Sequence, residues 1–305
     1  MKIESMIGIE SASISNKKSL KVSVCVVTYN QEKYISQCLQ SLVDQKVDFD
    51  FEIVVADDCS TDATREIVRA FADKYPKIFR LFLHEENIGA YKNFRFVHEQ
   101  AVGEYIAHMD GDDYALPMKL QNQVDFLDVN IDCNMVFHRM IILKRDSKFN
   151  IVKCEKNVTH KKFFRKDIIE GIAIGANSSK MYRALLRNEE LPDFDVVDYT
   201  VNVIQVGEGY AAYSSDKPLG VYREGVGISG SKSVIKSVYN SLMYFLKKYP
   251  ECKVEINTSA WSWLVSNIKN KRPYKWDFFK LALATFSIRG FLKFLSLRML
   301  IILGK

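Results

Sequence analysis

The 305-residue sequence predicts an α/β protein with a mainly parallel, doubly wound central sheet, followed by a helical C-terminal extension. Three observations predict it. From Lys21 onward, short β-branched and apolar runs alternate with stretches of helical apolar spacing, the pattern of strand, crossover helix and parallel strand. Each of the first four apolar runs ends in polar residues, where open α/β sheets place their ligands. The charge changes along the chain: residues 231–305 hold 14 Lys and Arg against 3 Asp and Glu, whereas residues 1–230 hold 29 against 34. A composition of 48% hydrophobic and 26% charged residues excludes disorder, collagen and coiled coil as the main architecture.

In chain order, residues 1–19 contain no apolar run long enough for a signal peptide and are expected to form a flexible leader. Val22 to Thr28 (VSVCVVT) reads as a strand buried on both faces. Tyr34, Ile35, Cys38, Leu39, Leu42 and Val43 share one helical face. Phe51 to Ala56 is a second strand, and Asp58 to Asp62 offers N-caps for a helix with Ile67, Val68, Phe71 and Ala72 inward. A third strand over Ile78 to Leu83, a third helix over Asn93 to Val102 and a fourth strand over Glu104 to Met109 follow. Beyond Leu116 come a helix with Leu120, Val124 and Leu127, a strand over Met135 to Leu143 and a hairpin around Asp146 to Asn150. Helical stretches near 163–171 and 196–206 precede a glycine-rich segment, GVYREGVGISGS, and the remainder reads as helices over 232–249, 254–270 and 276–303. The expected organisation is a leader over 1–19, an α/β domain over 20–230 and a basic helical extension over 231–305.

The sharpest chemical signal is Asp110-Gly111-Asp112-Asp113, directly after the fourth strand. Three carboxylates in four residues at a sheet's carboxyl edge repel one another, and a divalent cation with oxygen ligands relieves that repulsion. A solvated Asp-Gly turn is the alternative. Asp57 and Asp58 end the second strand, where a carboxylate can accept hydrogen bonds from a nucleoside; locally, Asp58 or Ser60 is also suited to cap the next helix. Lys92 and Arg95 are cations suited to phosphate or to a plain surface. The absence of GxGxxG and GxxxxGK[ST] argues against dinucleotide cofactors and P-loop hydrolysis. Six cysteines without a CxxC and five scattered histidines give no zinc spacing, so reduced thiols in a reducing compartment are expected.

Taken together, VSVCVVTYNQEKYISQCLQSL, EIVVADDCSTDATREIV, ENIGAYKNF and GEYIAHMDGDD resemble, in order and spacing, the family 2 glycosyltransferases, enzymes of the GT-A fold that move a sugar from a nucleotide-sugar to an acceptor hydroxyl. The resemblance covers residues 21–230 and implies a Rossmann-like nucleotide-sugar-binding domain. It implies that Thr28, Tyr29 and Asn30 line the base and ribose, that Asp57 and Asp58 bind the nucleoside, and that Lys92 and Asn93 occupy the position of a basic residue followed by Asn. Asp110 and Asp112 match the DXD motif that holds Mg2+ or Mn2+ against the diphosphate, with Asp113 supporting the loop. Arg223, with Gly227 and Ser229, resembles the segment that closes over the diphosphate, the alternative for Arg223 being a structural ion pair. Asn177-Ser178-Ser179 resembles a loop near the donor sugar or acceptor.

An inverting transfer also needs a carboxylate base for the acceptor hydroxyl. The resemblance places it ahead of the glycine-rich segment, where Asp198 in DFDVVDYTVNVIQVGEG, with Tyr222-Arg223 downstream, fits the spacing. Val197 stands before it where the family often has Glu or Gly, and Asp195 and Asp193 are rivals. The QxxRW motif of processive synthases is absent, implying one sugar per encounter.

Trp276 to Leu303 mixes Trp, Phe and Leu with Lys280, Arg289, Lys293 and Arg298, the composition of an interfacial membrane helix rather than a spanning one. The alternative is a packed helix whose Lys and Arg stems cover apolar surface. The expectation is therefore a Mg2+- or Mn2+-dependent inverting glycosyltransferase with a UDP-linked donor and a glycan or lipid-linked acceptor, serving bacterial cell-surface polysaccharide or lipopolysaccharide synthesis. It is expected in the cytoplasm, peripheral at the inner face of the membrane through 276–303, with no nucleic-acid partner. The rivals are a sugar-phosphate nucleotidyltransferase, which would carry a Gly- and Arg-rich loop where this chain has TYNQEKY, and a non-catalytic nucleotide-sugar-binding protein.

Overall fold

A computed structural model describes residues 20–144, 149–151, 161–171, 174–226 and 232–302. The expected leader over 1–19, Cys154, and Gly227 and Ser229 lie outside the described residues. Four strands, β1 (Val22–Thr28), β2 (Phe51–Asp57), β3 (Phe79–Leu83) and β4 (Tyr105–Asp110), form a parallel centre in the order β3-β2-β1-β4. Their side chains alternate between two apolar layers. Val24 and Val26 of β1 and Ile53 and Val55 of β2 pack with α1 (Ile35–Val43) and α2 (Thr64–Lys74). Cys25, Val54 and Ala56 pack on the opposite face with Val97 of α3 (Ala90–Glu99). Burial on both faces is why these strands read as unbroken apolar runs. With α1 and α2 on one face and α3 on the other, the chain winds outward to β3 and returns past β1 to β4, the doubly wound arrangement expected.

The second half of the sheet is mixed. β8 (Met181–Arg183) pairs antiparallel with β4, and β6 (Cys133–Leu143) antiparallel with β8. β9 (Tyr210–Arg223) runs parallel to β6, and β5 (Tyr114–Ala115) pairs antiparallel with β9, while β7 (Phe149–Ile151) pairs with the outer end of β6. Among the described residues the sheet has nine strands. β5 and β8, two and three residues long, are too short for periodicity to reveal. Helices α4 (Lys119–Val129), α5 (Arg165–Gly171) and α6 (Asp198–Gln205) stand where the apolar spacing places them.

The C-terminal helices α7 (Lys232–Lys248), α8 (Lys253–Lys269) and α9 (Lys275–Ala284) share the α3-side core with the sheet: Ile235, Val238, Phe245, Ile256, Leu264, Phe278 and Leu281 belong to the same buried cluster as Val54 and Phe137. Each such large side chain contributes about 1.5–3 kcal/mol by leaving water, so these helices are part of the folded body. The single helix expected over 276–303 is instead two, α9 and α10 (Ile288–Ile302). Thr285 terminates α9, its Oγ1 donating to the carbonyl of Leu281 at 2.7 Å, while Asn257 Nδ2 donates to the freed carbonyl of Ala282 at 2.8 Å. Ser287 Oγ then accepts from the Gly290 amide at 3.3 Å and starts α10.

Candidate active site

The strand register brings the polar strand ends together. Thr28 lies opposite Asp57, and Val27 opposite Asp110, so the carboxyl edges of β1, β2 and β4 form one rim. The chain leaves β1 through Asn30 at φ 51°, a left-handed conformation that Asn tolerates better than bulky residues. The Asn30 amide donates to Ser60 Oγ at 2.9 Å, and its Oδ1 accepts from the Thr61 amide at 2.8 Å, tying the loop after β1 to the loop after β2. Tyr29 beside it is 46% exposed and open to a ligand.

The paired aspartates hold loops. Asp57 is fully buried and accepts from the Ser60 amide at 3.1 Å, from Ser60 Oγ, and from Arg65 Nε at 2.8 Å. Asp58 accepts from the amides of Ile88 and Gly89 at 2.7 and 3.0 Å, fixing the entry to α3 rather than capping α2. Buried Asn93 donates to the Ala56 carbonyl at 3.0 Å and pairs its Oδ1 with His84 Nε2, whereas Lys92 is exposed. On this side of the rim the groups left open to a ligand are therefore Tyr29 and Lys92, presented on loops that Asn30, Asp57, Asp58 and Asn93 hold in place.

The acidic turn is built differently. Asp110 Oδ1 pairs with His108 Nε2 at 3.1 Å, and Oδ2 accepts from Ser178 Oγ at 3.1 Å. Burial pushes the Asp110 pKa up, but the adjacent His108 charge and the hydrogen bonds from His108 and Ser178 outweigh it, and the carboxyl titrates below its ordinary value. Its neighbours move the other way. Burial and the Asp110 charge push Asp112 up to about 6 and Asp113 up to about 8. Gly111 suits the close approach there: a Cβ would meet Gln31 Oε1, Ile35 Cδ1 at 3.0 Å and Thr28 Cβ at 3.1 Å. Arg223, at the end of β9, closes the loop from behind. Its amide donates to Asp113 Oδ1 at 2.9 Å, its guanidinium donates to the Asp112 carbonyl and to Gln37 Oε1, and it lies 5.0 and 5.1 Å from the ring centres of Tyr34 and Tyr114.

Asp198 opens α6 and accepts from the Tyr199 amide at 2.8 Å. Its side chain is exposed to solvent, yet the surrounding protein pushes its pKa up, Asp110 adds to the effect, and the Tyr199 amide, Lys180 and His108 oppose it. Lys180 is buried, donates to Gln205 Oε1 at 2.6 Å, and has its pKa lowered by burial to about 7 despite the attraction of Asp198. Asp195 and Asp193, both exposed, add a little to the raised pKa of Tyr91, at the start of α3, after the larger effect of burial and against Arg95. Asp198 is thus the candidate base whose field is shared with the acidic turn.

Residues 23–185 match the family described as Glycosyl transferase family 2. The chain belongs to this glycosyltransferase family. It is 33% identical over 176 residues to the uncharacterized protein Rv1520 of Mycobacterium tuberculosis H37Rv, covering 56% of this chain and 49% of that one. The chain therefore spans about half the length of such curated relatives. A 41% match over 113 residues, 36% of this chain and 19% of the relative, is to the poly(ribitol-phosphate) beta-N-acetylglucosaminyltransferase TarS of Staphylococcus aureus. The structure of TarS residues 1–349 with UDP-GlcNAc superposes with a TM-score of 0.61 at 24% identity, covering 78% of this chain and 70% of that one. The mannosyltransferase PcManGT of Pyrobaculum calidifontis, solved with GDP-Man and Mn2+, covers 94% of this chain and 81% of its own at 19% identity and a TM-score of 0.55. These structural likenesses establish the GT-A fold.

Among the described residues no three His, Cys, Asp or Glu side chains converge as a metal cage. The residues present suit a two-carboxylate site. Asp110 is held ionised beside Asp112, whose pKa is raised first by burial and then by the charge of Asp110, and a cation would offset the second effect. The side chains that sequence reasoning missed are His98, His108, Lys180 and Tyr182. His98 and His108 lie on different elements, with no common helical spacing to reveal them. Ser178, by contrast, lay within a segment already singled out, and the structure gives it a specific partner, Asp110.

Proposed function

We propose that the chain catalyses an inverting, divalent-metal-dependent transfer of a sugar from a UDP-linked donor to an acceptor hydroxyl in bacterial cell-surface polysaccharide or lipopolysaccharide synthesis. The observation that carries it is that Asp110, at the end of β4 and held by His108 and Ser178, and Asp198, at the start of α6, lie close enough for Asp110 to raise the pKa of Asp198, which buried Lys180 opposes. Tyr29 and Lys92 offer a stacking surface and a cation to the nucleotide, and Asp110 and Asp112 would hold the metal. A bound divalent ion stabilises the negative charge that develops on the departing diphosphate. Asp198 takes the acceptor proton, its raised pKa strengthening it as a base and Lys180 favouring its ionised form. The activity named for TarS, a poly(ribitol-phosphate) beta-N-acetylglucosaminyltransferase, supports the substrate class.

The test is a thermal-shift panel of UDP, GDP, CMP and dTDP with and without Mn2+, followed by assays of nucleoside diphosphate release from the matching donor sugars. A ligand at 100 times its dissociation constant adds about 2.7 kcal/mol of stability. Asp198→Asn should keep that shift and lose roughly 10²–10⁴-fold in turnover. Full turnover in the variant would remove Asp198 as the base, and a shift indifferent to chelator would remove the metal.

The basic extension supports membrane docking. Among the described residues no helix is long and apolar enough to cross a membrane. While Phe278 and Leu281 are buried, α9 exposes Trp276 and Leu283, and α10 exposes Ile288, Leu292 and Leu295 at helical spacing. With Lys275, Lys280 and Arg289 close by in sequence, this face suits an anionic surface carrying a lipid-linked acceptor.

A further inference from the structure

Behind the acidic turn runs a line of buried polar rings that the reaction outlined above does not use. Tyr182 of β8 places its hydroxyl 2.7 Å from His98 Nδ1 of α3. His98 Nε2 lies 2.9 Å from His108 Nδ1 of β4, and His108 Nε2 lies 3.1 Å from Asp110 Oδ1. The exposures of Tyr182, His98 and His108 are 0%, 5% and 0%. The rings are stacked: Tyr182 on His98 at 12° and His98 on His108 at 28°, with Phe94 4.1 and 5.2 Å from the two imidazole centres. Three elements, α3, β4 and β8, thus converge on one carboxylate oxygen, and Ser178 holds the other.

The hydrogens on this line are constrained. Burial drives the His98 pKa well below the ordinary value, with smaller contributions from His108 and Lys180, so His98 carries a single ring hydrogen. With Asp110 as a carboxylate both of its oxygens accept, Oδ2 from Ser178 Oγ and Oδ1 from the imidazole. In every assignment that avoids a donor facing a donor or an acceptor facing an acceptor, Nε2 of His108 bears a hydrogen and gives it to Asp110. Nδ1 of His108 is in turn occupied by His98, which is anchored by Tyr182. The imidazole of His108 therefore has no freedom to turn away.

We propose that Tyr182, His98 and His108 form a buried positioning array that fixes the Asp110 carboxylate for the divalent cation before donor binding. None of the three touches donor or acceptor; they act through Asp110. This rests on the metal-binding role assigned to Asp110 above. Outer-sphere hydrogen bonds of this kind orient a ligand, and their loss typically costs about 10–100-fold in metal affinity. Because α3 also carries Lys92 and Asn93, the array ties the acidic turn to the helix that faces the nucleotide.

Two measurements test it. Long-range 1H–15N correlation on the histidines of the intact protein should show His108 with a hydrogen on Nε2 and His98 with a single ring hydrogen; a bare Nε2 on His108 overturns the array whether or not metal binds. Mn2+ binding in the presence of UDP, and separately GDP, is then read by the EPR signal of free Mn2+. His108→Leu should weaken Mn2+ binding about 10–100-fold. His108→Gln, which keeps an N–H at reach of Asp110, should recover most of that loss. Tyr182→Phe, the mildest change, should weaken binding in the same direction by less, and keeps the test alive if His108→Leu does not fold. Wild-type Mn2+ affinity in a folded His108→Leu or, failing its folding, in Tyr182→Phe reduces these residues to scaffolding and overturns the proposal. A wild-type protein that binds either nucleotide but never Mn2+ removes the metal reading itself, and the role of the array with it.

Discussion

Lys119 offers a test in which burial and charge give a number. It opens α4 and is 0% exposed, its Nζ has no hydrogen-bond partner among the described residues, and burial lowers its pKa from 10.5 to about 7, against a small opposing effect of Cys38. The unfolded chain keeps this proton up to pH 10.5 and the folded chain only to about 7, so unfolding takes up a proton between those values and stability rises with pH across that window. At 1.36 kcal/mol per tenfold, housing Lys119 costs on the order of 4 kcal/mol at pH 7 and below about 1 kcal/mol at pH 10. Lys119→Met keeps most of the buried volume and removes the titration. It should raise the urea midpoint strongly at pH 7 and hardly at all at pH 10. Equal stabilisation at both values, or destabilisation at pH 7, would refute the account, because either means that the ammonium is stabilised where it lies.

Three further outcomes follow from the same geometry. The acid limb of kcat, measured with donor and Mn2+ saturating, should lie above the ordinary carboxyl value of 3.8 because Asp198 must lose its proton to act, and Lys180→Met should move it to still higher pH by removing a favourable positive charge; a limb that stays in place in Lys180→Met but moves in Asp195→Asn would transfer the base role to Asp195. Gly111→Ala forces a methyl against Gln31, Ile35 and Thr28 and should destabilise by about 1–3 kcal/mol while weakening the Mn2+-dependent thermal shift; an unchanged shift would mean that the turn is not part of the donor site. Replacing Trp276, Ile288 and Leu292 together by Ser should leave the melting temperature unchanged, since all three are exposed, and should abolish flotation with anionic liposomes; retained flotation would locate membrane contact elsewhere.

The sequence made the centre of the fold legible because β1, β2 and β4 are buried on both faces, which writes itself as apolar runs ending in Thr28, Asp57 and Asp110. What it could not show is which distant polar group satisfies each carboxylate. The partners of the acidic turn come from 68 residues away in Ser178 and 110 residues away in Arg223, and no local period encodes such pairings. The same limit explains Asp57 and Asp58, correctly placed at a strand end yet already engaged by Ser60, Arg65, Ile88 and Gly89. The break between α9 and α10 was legible in principle, as Thr285 and Ser287 are capping residues, but apolar spacing on both sides masked it.

The acidic turn shows why those hidden partners matter. A four-residue motif states three carboxylates of identical chemistry, and the structure gives them three different states. Asp110 is held ionised by His108 and Ser178, Asp112 is raised to about 6 by burial and by Asp110, and Asp113, raised to about 8, accepts the Arg223 amide within the fold. At neutral pH charge is thus present on Asp110 and on most of Asp112 and withheld chiefly at Asp113, and a cation would lower Asp112 further by offsetting its burial and the charge of Asp110. That makes the pKa of Asp112 the quantity most sensitive to metal. Mn2+ and nucleotide together should lower it, and a titration of Asp112 that stayed near 6 with both bound would show that the ion is held by Asp110 alone.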